Sequence, residues 1–147
     1  MNIIEVNYIN ITGVEITNNT VNFCKMVLSE LNIINWEISI LICDDQYIKN
    51  LNKNYRSKDE PTDVLSFNQD LIPVDDIIYA GDIVISLETV KLHSQSFSVS
   101  LDEELKRVII HGILHLYGLD HLTNEKNESM LKLQESILKN VSGEKLL

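Results

Sequence analysis

Three of the chain's four histidines fall within one eleven-residue run, His111-Gly-Ile-Leu-His115-Leu-Tyr-Gly118-Leu-Asp120-His121. Helix positions four apart lie about 40° apart around the axis and about 6 Å along it, so His111 and His115 reach toward one point beside one face. Gly118 then supplies the residue that most readily takes a positive φ past a helix end. A turn there swings His121 back toward the first two. Three neutral imidazoles so placed suit one Zn²⁺ per chain, with the fourth tetrahedral position left to water. An open position marks a catalytic metal. A lone histidine on an apolar helix is ordinarily a buried residue with a hydrogen-bond partner. The shared face, the glycine and the surrounding Val108, Ile109, Ile110, Ile113, Leu114 and Leu116 reverse that reading, because an apolar surround keeps a metal site dry.

The spacing is also that of metzincin-type zinc proteases, with one difference. Those enzymes carry Glu after the first His as general base, and this chain carries Gly112. Peptide hydrolysis then lacks its usual proton acceptor. Gly within a helix costs about 1 kcal/mol relative to Ala, so something local must favour it. Two accounts are open: another element packs against the backbone, or the missing side chain leaves room over the metal for a bulky substrate.

A second group is Arg56 followed by Glu60-Pro-Thr-Asp-Val-Leu-Ser-Phe67. Pro61 restricts Glu60 to extended geometry. Thr62 and Asp63 have the chemistry of turn or capping residues, and Arg56 taken alone reads as a solvated surface residue.

The elements that must carry these groups follow from periodicity and capping. Residues 3–8 read as a strand, 17–32 as a helix with Val21, Cys24, Val27, Leu28 and Leu31 on one stripe, and 36–43 as an alternating strand. Asp44 caps a helix through about Tyr55. Short strands are expected over 64–67 and 80–86, antiparallel to each other, with 68–79 an exposed acidic loop. A helix runs from Ser86 or Leu87 to about Gln95. Ser100 and Glu103 form a capping box for the histidine helix, which ends near Tyr117. A last helix spans about 124–140, with Met130, Leu133, Ile137 and Leu138 inward. This order predicts an α+β fold, a single domain over 1–147 in which the histidine helix lies on a small mixed sheet.

Composition narrows the function classes. The 147 residues are 44% hydrophobic and carry a net charge of −10, which disfavours indiscriminate nucleic-acid binding while allowing a local positive cleft or a basic protein partner. No secretory signal and no membrane span are read at the N-terminus or elsewhere. Cys24 and Cys43 lie in apolar periodic segments and read as core residues in a reducing compartment. The expected location is cytoplasmic.

Asn54-Tyr-Arg56 with Pro61-Thr-Asp-Val-Leu-Ser-Phe67, then Gly81-Asp-Ile-Val-Ile-Ser86, then the histidine run, together and in this order resemble the YbeY family. These are bacterial single-domain zinc proteins assigned as endoribonucleases. The likeness spans roughly residues 52–121. It implies an α+β, zincin-like fold with His111, His115 and His121 as zinc ligands and Arg56 as the functional arginine. It also implies single-strand-specific cleavage in maturation of the 16S ribosomal RNA 3′ end and in ribosome quality control. The implied partners are a ribosomal RNA precursor and small-subunit or assembly proteins, with no membrane.

The chemistry of the residues agrees with phosphodiester cleavage. Zinc lowers the pKa of bound water to about 7 and polarises phosphoryl oxygens. A permanently charged, planar guanidinium pairs bidentately with the oxygens on which charge builds, the role expected of Arg56. Zinc-bound water and the RNA 2′-hydroxyl are both open as nucleophile. Asp120 is a candidate proton acceptor, or else a carboxylate that orients a ligand histidine. His93 reads as a surface residue, and Lys49, Lys53, Lys58, Lys106 and Arg107 either line an RNA path or, as scattered cations ordinarily do, solvate a face. Two alternatives stand: a zinc metallopeptidase with a base from elsewhere, and a non-enzymatic ribosome-assembly factor with structural zinc.

Overall fold

The computed structural model describes residues 1–118, 124–141 and 143–147. The elements run β1 (Ile3–Tyr8), α1 (Thr17–Glu30), β2 (Trp36–Cys43), α2 (Asp45–Arg56), β3 (Val64–Asn68), β4 (Pro73–Val74), β5 (Ile77–Ser86), α3 (Leu87–Ser96), α4 (Leu101–Leu116) and α5 (Asn124–Asn140). The fold is α+β, as the element order predicts.

The strands lie in the order β1-β2-β5-β3, with β4 also on β5. β1, β2 and β5 are mutually parallel, and β3 and β4 pair antiparallel with β5. The expected antiparallel pair is therefore present, Val64 opposite Ile85 through Asn68 opposite Gly81. Residues 68–79 are not wholly a loop. Asp75 and Asp76 both take positive φ, 53° and 67°, the backbone of a two-residue type I′ hairpin turn. They close β4 onto an extension of β5 back to Ile77.

Alternation in β2 and β5 sends side chains to two different cores. Ile38, Ile40, Ile42, Ile83 and Ile85 join α1, α4 and α5 residues in the main core, while Cys43, Val84 and Leu65 pack with Ile48 of α2 on the opposite face. Each fully buried Ile or Leu contributes about 1.5–3 kcal/mol of transfer free energy, so the sheet is held from both sides. Cys24 and Cys43 are free and buried, as expected of core residues. No helix among the described residues is long and apolar enough to cross a membrane.

Helix α4 is set by its caps. The Ser100 hydroxyl accepts from the Glu103 backbone N–H at 3.0 Å, and Glu103 turns its carboxylate to Arg107 at 3.2 Å. At the far end Gly118 has φ 100° and its N–H donates to His115 O at 3.0 Å, as the glycine's placement predicts. The helix lies against β3 and β5, and two contacts make this close. A Cβ at Gly81 (φ 148°) would collide with the Phe67 carbonyl oxygen and lie 2.8 Å from a methyl of Leu116. A Cβ at Gly112 would lie 2.8 Å from Cγ2 of the buried Ile83. Of the two accounts of Gly112, the structure supports packing. The residue faces the sheet, so its missing side chain opens no space over a metal.

Candidate metal centre

His111 and His115 are half-buried on α4, one turn apart, with ring centroids 4.8 Å apart and planes at 73°. Their Nε2 atoms approach to 3.2 Å. Two nitrogens bound to one tetrahedral zinc at about 2.0–2.1 Å would be about 3.3 Å apart, so the pair fits a shared cation. His115 occupies the last turn of α4, where the carbonyl end of the helix dipole favours positive charge. His121 and Asp120 lie outside the described residues.

β3 fixes this end of the helix. Ser66 Oγ donates to Gly112 O at 3.3 Å, and Asn68 Nδ2 donates to His115 O at 3.0 Å. The strand thereby forms one wall of a cavity of about 600 Å³ whose lining includes Arg56, Thr62, Asp63, Ser66, His111 and His115. Gly118 also lines it, at the edge of the described segment.

Arg56 comes to this cavity from α2, on the other side of β3. Asp44 caps that helix by accepting from Tyr47 N–H at 3.0 Å, and Ser57 ends it in a left-handed turn with φ 59°. Buried Asn52 donates to Glu60 O at 2.9 Å and holds the following loop. The Arg56 guanidinium donates to Ser66 O at 2.8 Å and lies 5.9 Å from the Phe67 ring. Among the described residues lining the cavity, Arg56 is the only Arg or Lys. The expected role of Arg56 needs it close to the histidines, and the fold brings it to the cavity that His111 and His115 also line.

The remaining candidates divide. His93 is more than a surface residue: its Nδ1 lies 3.4 Å from Asp63 Oδ2, tying α3 to the cavity edge. Arg107 does not line an RNA path, since its guanidinium is bonded to Glu103, Glu104 and Glu135 at 3.2, 2.7 and 2.9 Å. These carboxylates raise its pKa further, and the guanidinium holds Glu135 below the ordinary carboxylate range. Lys106 is likewise engaged, with Asp102 at 3.1 Å. Asp63, His93 and Glu104 each offer one ligand atom within 4.8 Å of the others, although Glu104 is already paired with Arg107. One residue went unnoticed in the sequence. Gln134 of α5, buried, places Oε1 2.7 Å from His111 Nδ1. A polar residue on an otherwise apolar stripe, between Met130 and Ile137, was the signal that could have found it.

Comparison with known proteins gives a consistent result. The profile of the family described as Endoribonuclease YbeY matches residues 3–142. A protein of that name from Treponema denticola is 52% identical over 121 residues, covering 80% of this chain and 78% of its own. Another from Borreliella burgdorferi is 48% identical over 127 residues, covering 80% and 82%. A solution structure of a protein from Thermotoga maritima superposes with a TM-score of 0.65 at 25% identity, covering 95% of this chain and 89% of that one.

Proposed function

The chain belongs to the YbeY endoribonuclease family, and from that premise we propose that it is a zinc-dependent endoribonuclease. Its substrate in this reading is single-stranded ribosomal RNA precursor, at the 16S 3′ end, in maturation and ribosome quality control in the cytoplasm. The observation that carries the proposal is the 3.2 Å convergence of the His111 and His115 Nε2 atoms in a cavity that also receives Arg56.

In this reading His111, His115 and His121 hold one zinc ion per chain. Bound there, zinc supplies Lewis acidity to a phosphoryl oxygen and acidifies water. Arg56 pairs with the non-bridging oxygens of the scissile phosphate and stabilises the charge that develops on them. Its bond to Ser66 O and its place beside Phe67 restrict the guanidinium before substrate arrives, which lowers the ordering cost at binding. Asp120 takes or relays a proton, or orients a ligand histidine. Asp63 is a carboxylate that lines the cavity, already partnered by His93.

The peptidase alternative needs a general base from an element other than α4, because the usual position is Gly112, packed on Ile83. The assembly-factor alternative differs in what zinc removal does, because structural zinc contributes folding energy directly. The test is a chelated and zinc-restored preparation assayed on a structured ribosomal RNA fragment and on casein, with circular dichroism on the same samples. RNA cleavage should vanish on chelation, return with zinc and have no peptide counterpart, while the fold persists. Cleavage independent of metal, or casein hydrolysis, overturns the proposal. Global unfolding on chelation favours the structural-zinc alternative.

A further inference from the structure

Behind the histidine pair runs a chain of hydrogen bonds with one direction. Arg107 grips Glu135 with both arms of its fork, Nε to Oε2 at 2.9 Å and the second nitrogen to Oε1 at 3.0 Å. The Glu135 carboxylate accepts from Gln134 Nε2 at 3.1 Å. The Gln134 carbonyl oxygen lies 2.7 Å from His111 Nδ1. Gln134 is 4% exposed, so water does not readily substitute for these partners.

The direction follows from what each group can do. An ionised carboxylate only accepts, so Glu135 requires the amide nitrogen of Gln134 to face it. The amide oxygen is thereby turned to the imidazole. That oxygen also only accepts, so the proton of neutral His111 resides on Nδ1. The ring's lone pair then lies on Nε2, the atom that approaches Nε2 of His115. A ligand histidine whose other nitrogen donates to a fixed acceptor is held in both tautomer and ring orientation.

We propose that Gln134 is a positioning residue that locks His111 in its Nδ1–H tautomer and presents Nε2 to the metal, with its own orientation imposed by the Arg107–Glu135 pair. The role rests on the metal reading of His111. It links two helices: α5 reaches His111 through one amide and is anchored to α4 through one ion pair.

The tautomer is measurable without metal or RNA. In metal-free wild-type protein at about pH 8, where histidine is largely neutral, nitrogen-15 spectra of the imidazoles should show the His111 proton on Nδ1. Gln134→Leu keeps the volume and removes the acceptor. It should shift His111 toward the Nε2–H form and weaken zinc binding, read by competition with a spectroscopic chelator, by about 10–100-fold. The double substitution Gln134→Glu with Glu135→Gln restores an acceptor toward Nδ1 and a donor behind it, and should recover most of the affinity and the Nδ1–H signature. A merely space-filling Gln134 would leave zinc affinity unchanged in Gln134→Leu. That result, an Nε2–H tautomer in the wild type, or a folded double variant with no recovery would each overturn the proposal. Should Gln134→Leu fail to fold, the wild-type spectrum and the double variant still decide it. A wild-type protein that binds zinc but does not cleave RNA would defeat the functional reading and leave this ordering of affinities intact. One that binds no zinc would remove both.

Discussion

Gly112 shows how one residue type carries two different messages. In sequence it marks where a protease would hold its general base, while in the fold it marks where α4 and β5 come closest. Its would-be Cβ meets Ile83, which is fully buried and β-branched and therefore has little freedom to move aside. Gly112→Glu should consequently destabilise the protein rather than build a protease. It forces volume and an unpaired carboxylate into a dry interface, for a cost of at least about 3 kcal/mol and a melting temperature lower by about 6–12 °C. A thermal melt with an unchanged midpoint would mean that this face of the helix is open rather than packed on Ile83. Gln134 gives the complementary case: a buried polar side chain whose meaning comes from its partner on another helix, 23 residues away in sequence.

At the scale of elements, most of the architecture was legible because its signals are local. The stripe in α1, the alternation in β2 and the caps at Asp44 and Ser100 each depend on residues within one or two turns, and each element appears where they place it. The segment 68–79 was not legible as a hairpin. Its turn uses Asp75-Asp76, with no glycine to announce two positive φ values, and its strand β4 is only two residues long. The turn yields a direct check. Asp76→Gly removes the left-handed penalty on a side-chain-bearing residue and should stabilise the protein by about 0.5–1 kcal/mol, visible as a higher urea midpoint. A lower midpoint would show that the aspartate makes a contact worth more than its backbone strain. The site was half legible by the same logic. Helix spacing aligned His111 with His115, whereas the arrival of Arg56 depends on a sheet that sets β3 between α2 and α4.

At the scale of the whole molecule, the negative net charge is reconciled with an anionic substrate by where the cations are spent. Lys106 and Arg107 are held by carboxylates, while Arg56 faces the cavity. The double-sided core also has a signature in pH. Burial pushes the thiols of Cys24 and Cys43 up from 9.0 to about 12. A folded pKa above the unfolded one means stability that is fully present below about pH 9 and is lost as pH rises toward 12. The loss approaches about 1.4 kcal/mol per pH unit for each fully buried thiol. Urea midpoints measured from pH 8 to 10.5 should therefore fall, and Cys24→Ala should flatten part of the slope. Equal slopes in the two proteins would show that the Cys24 thiolate is tolerated inside the core.

In the proposed function, a metal held by His111 and His115 and the charge of Arg56 act together on one phosphodiester. The most direct measurement is single-turnover cleavage of a structured RNA by wild type, Arg56→Ala, Arg56→Lys and His115→Ala, with zinc content determined on the same samples. Arg56→Ala should fold, retain zinc and lose about 10²–10³ in rate, the usual cost of one preorganised charge-stabilising donor. Arg56→Lys should recover only part, because an ammonium lacks the bidentate fork. His115→Ala should lose zinc and cleavage together. Wild-type rates from zinc-loaded Arg56→Ala, or cleavage surviving in zinc-free His115→Ala, would rule out this joint action of metal and arginine.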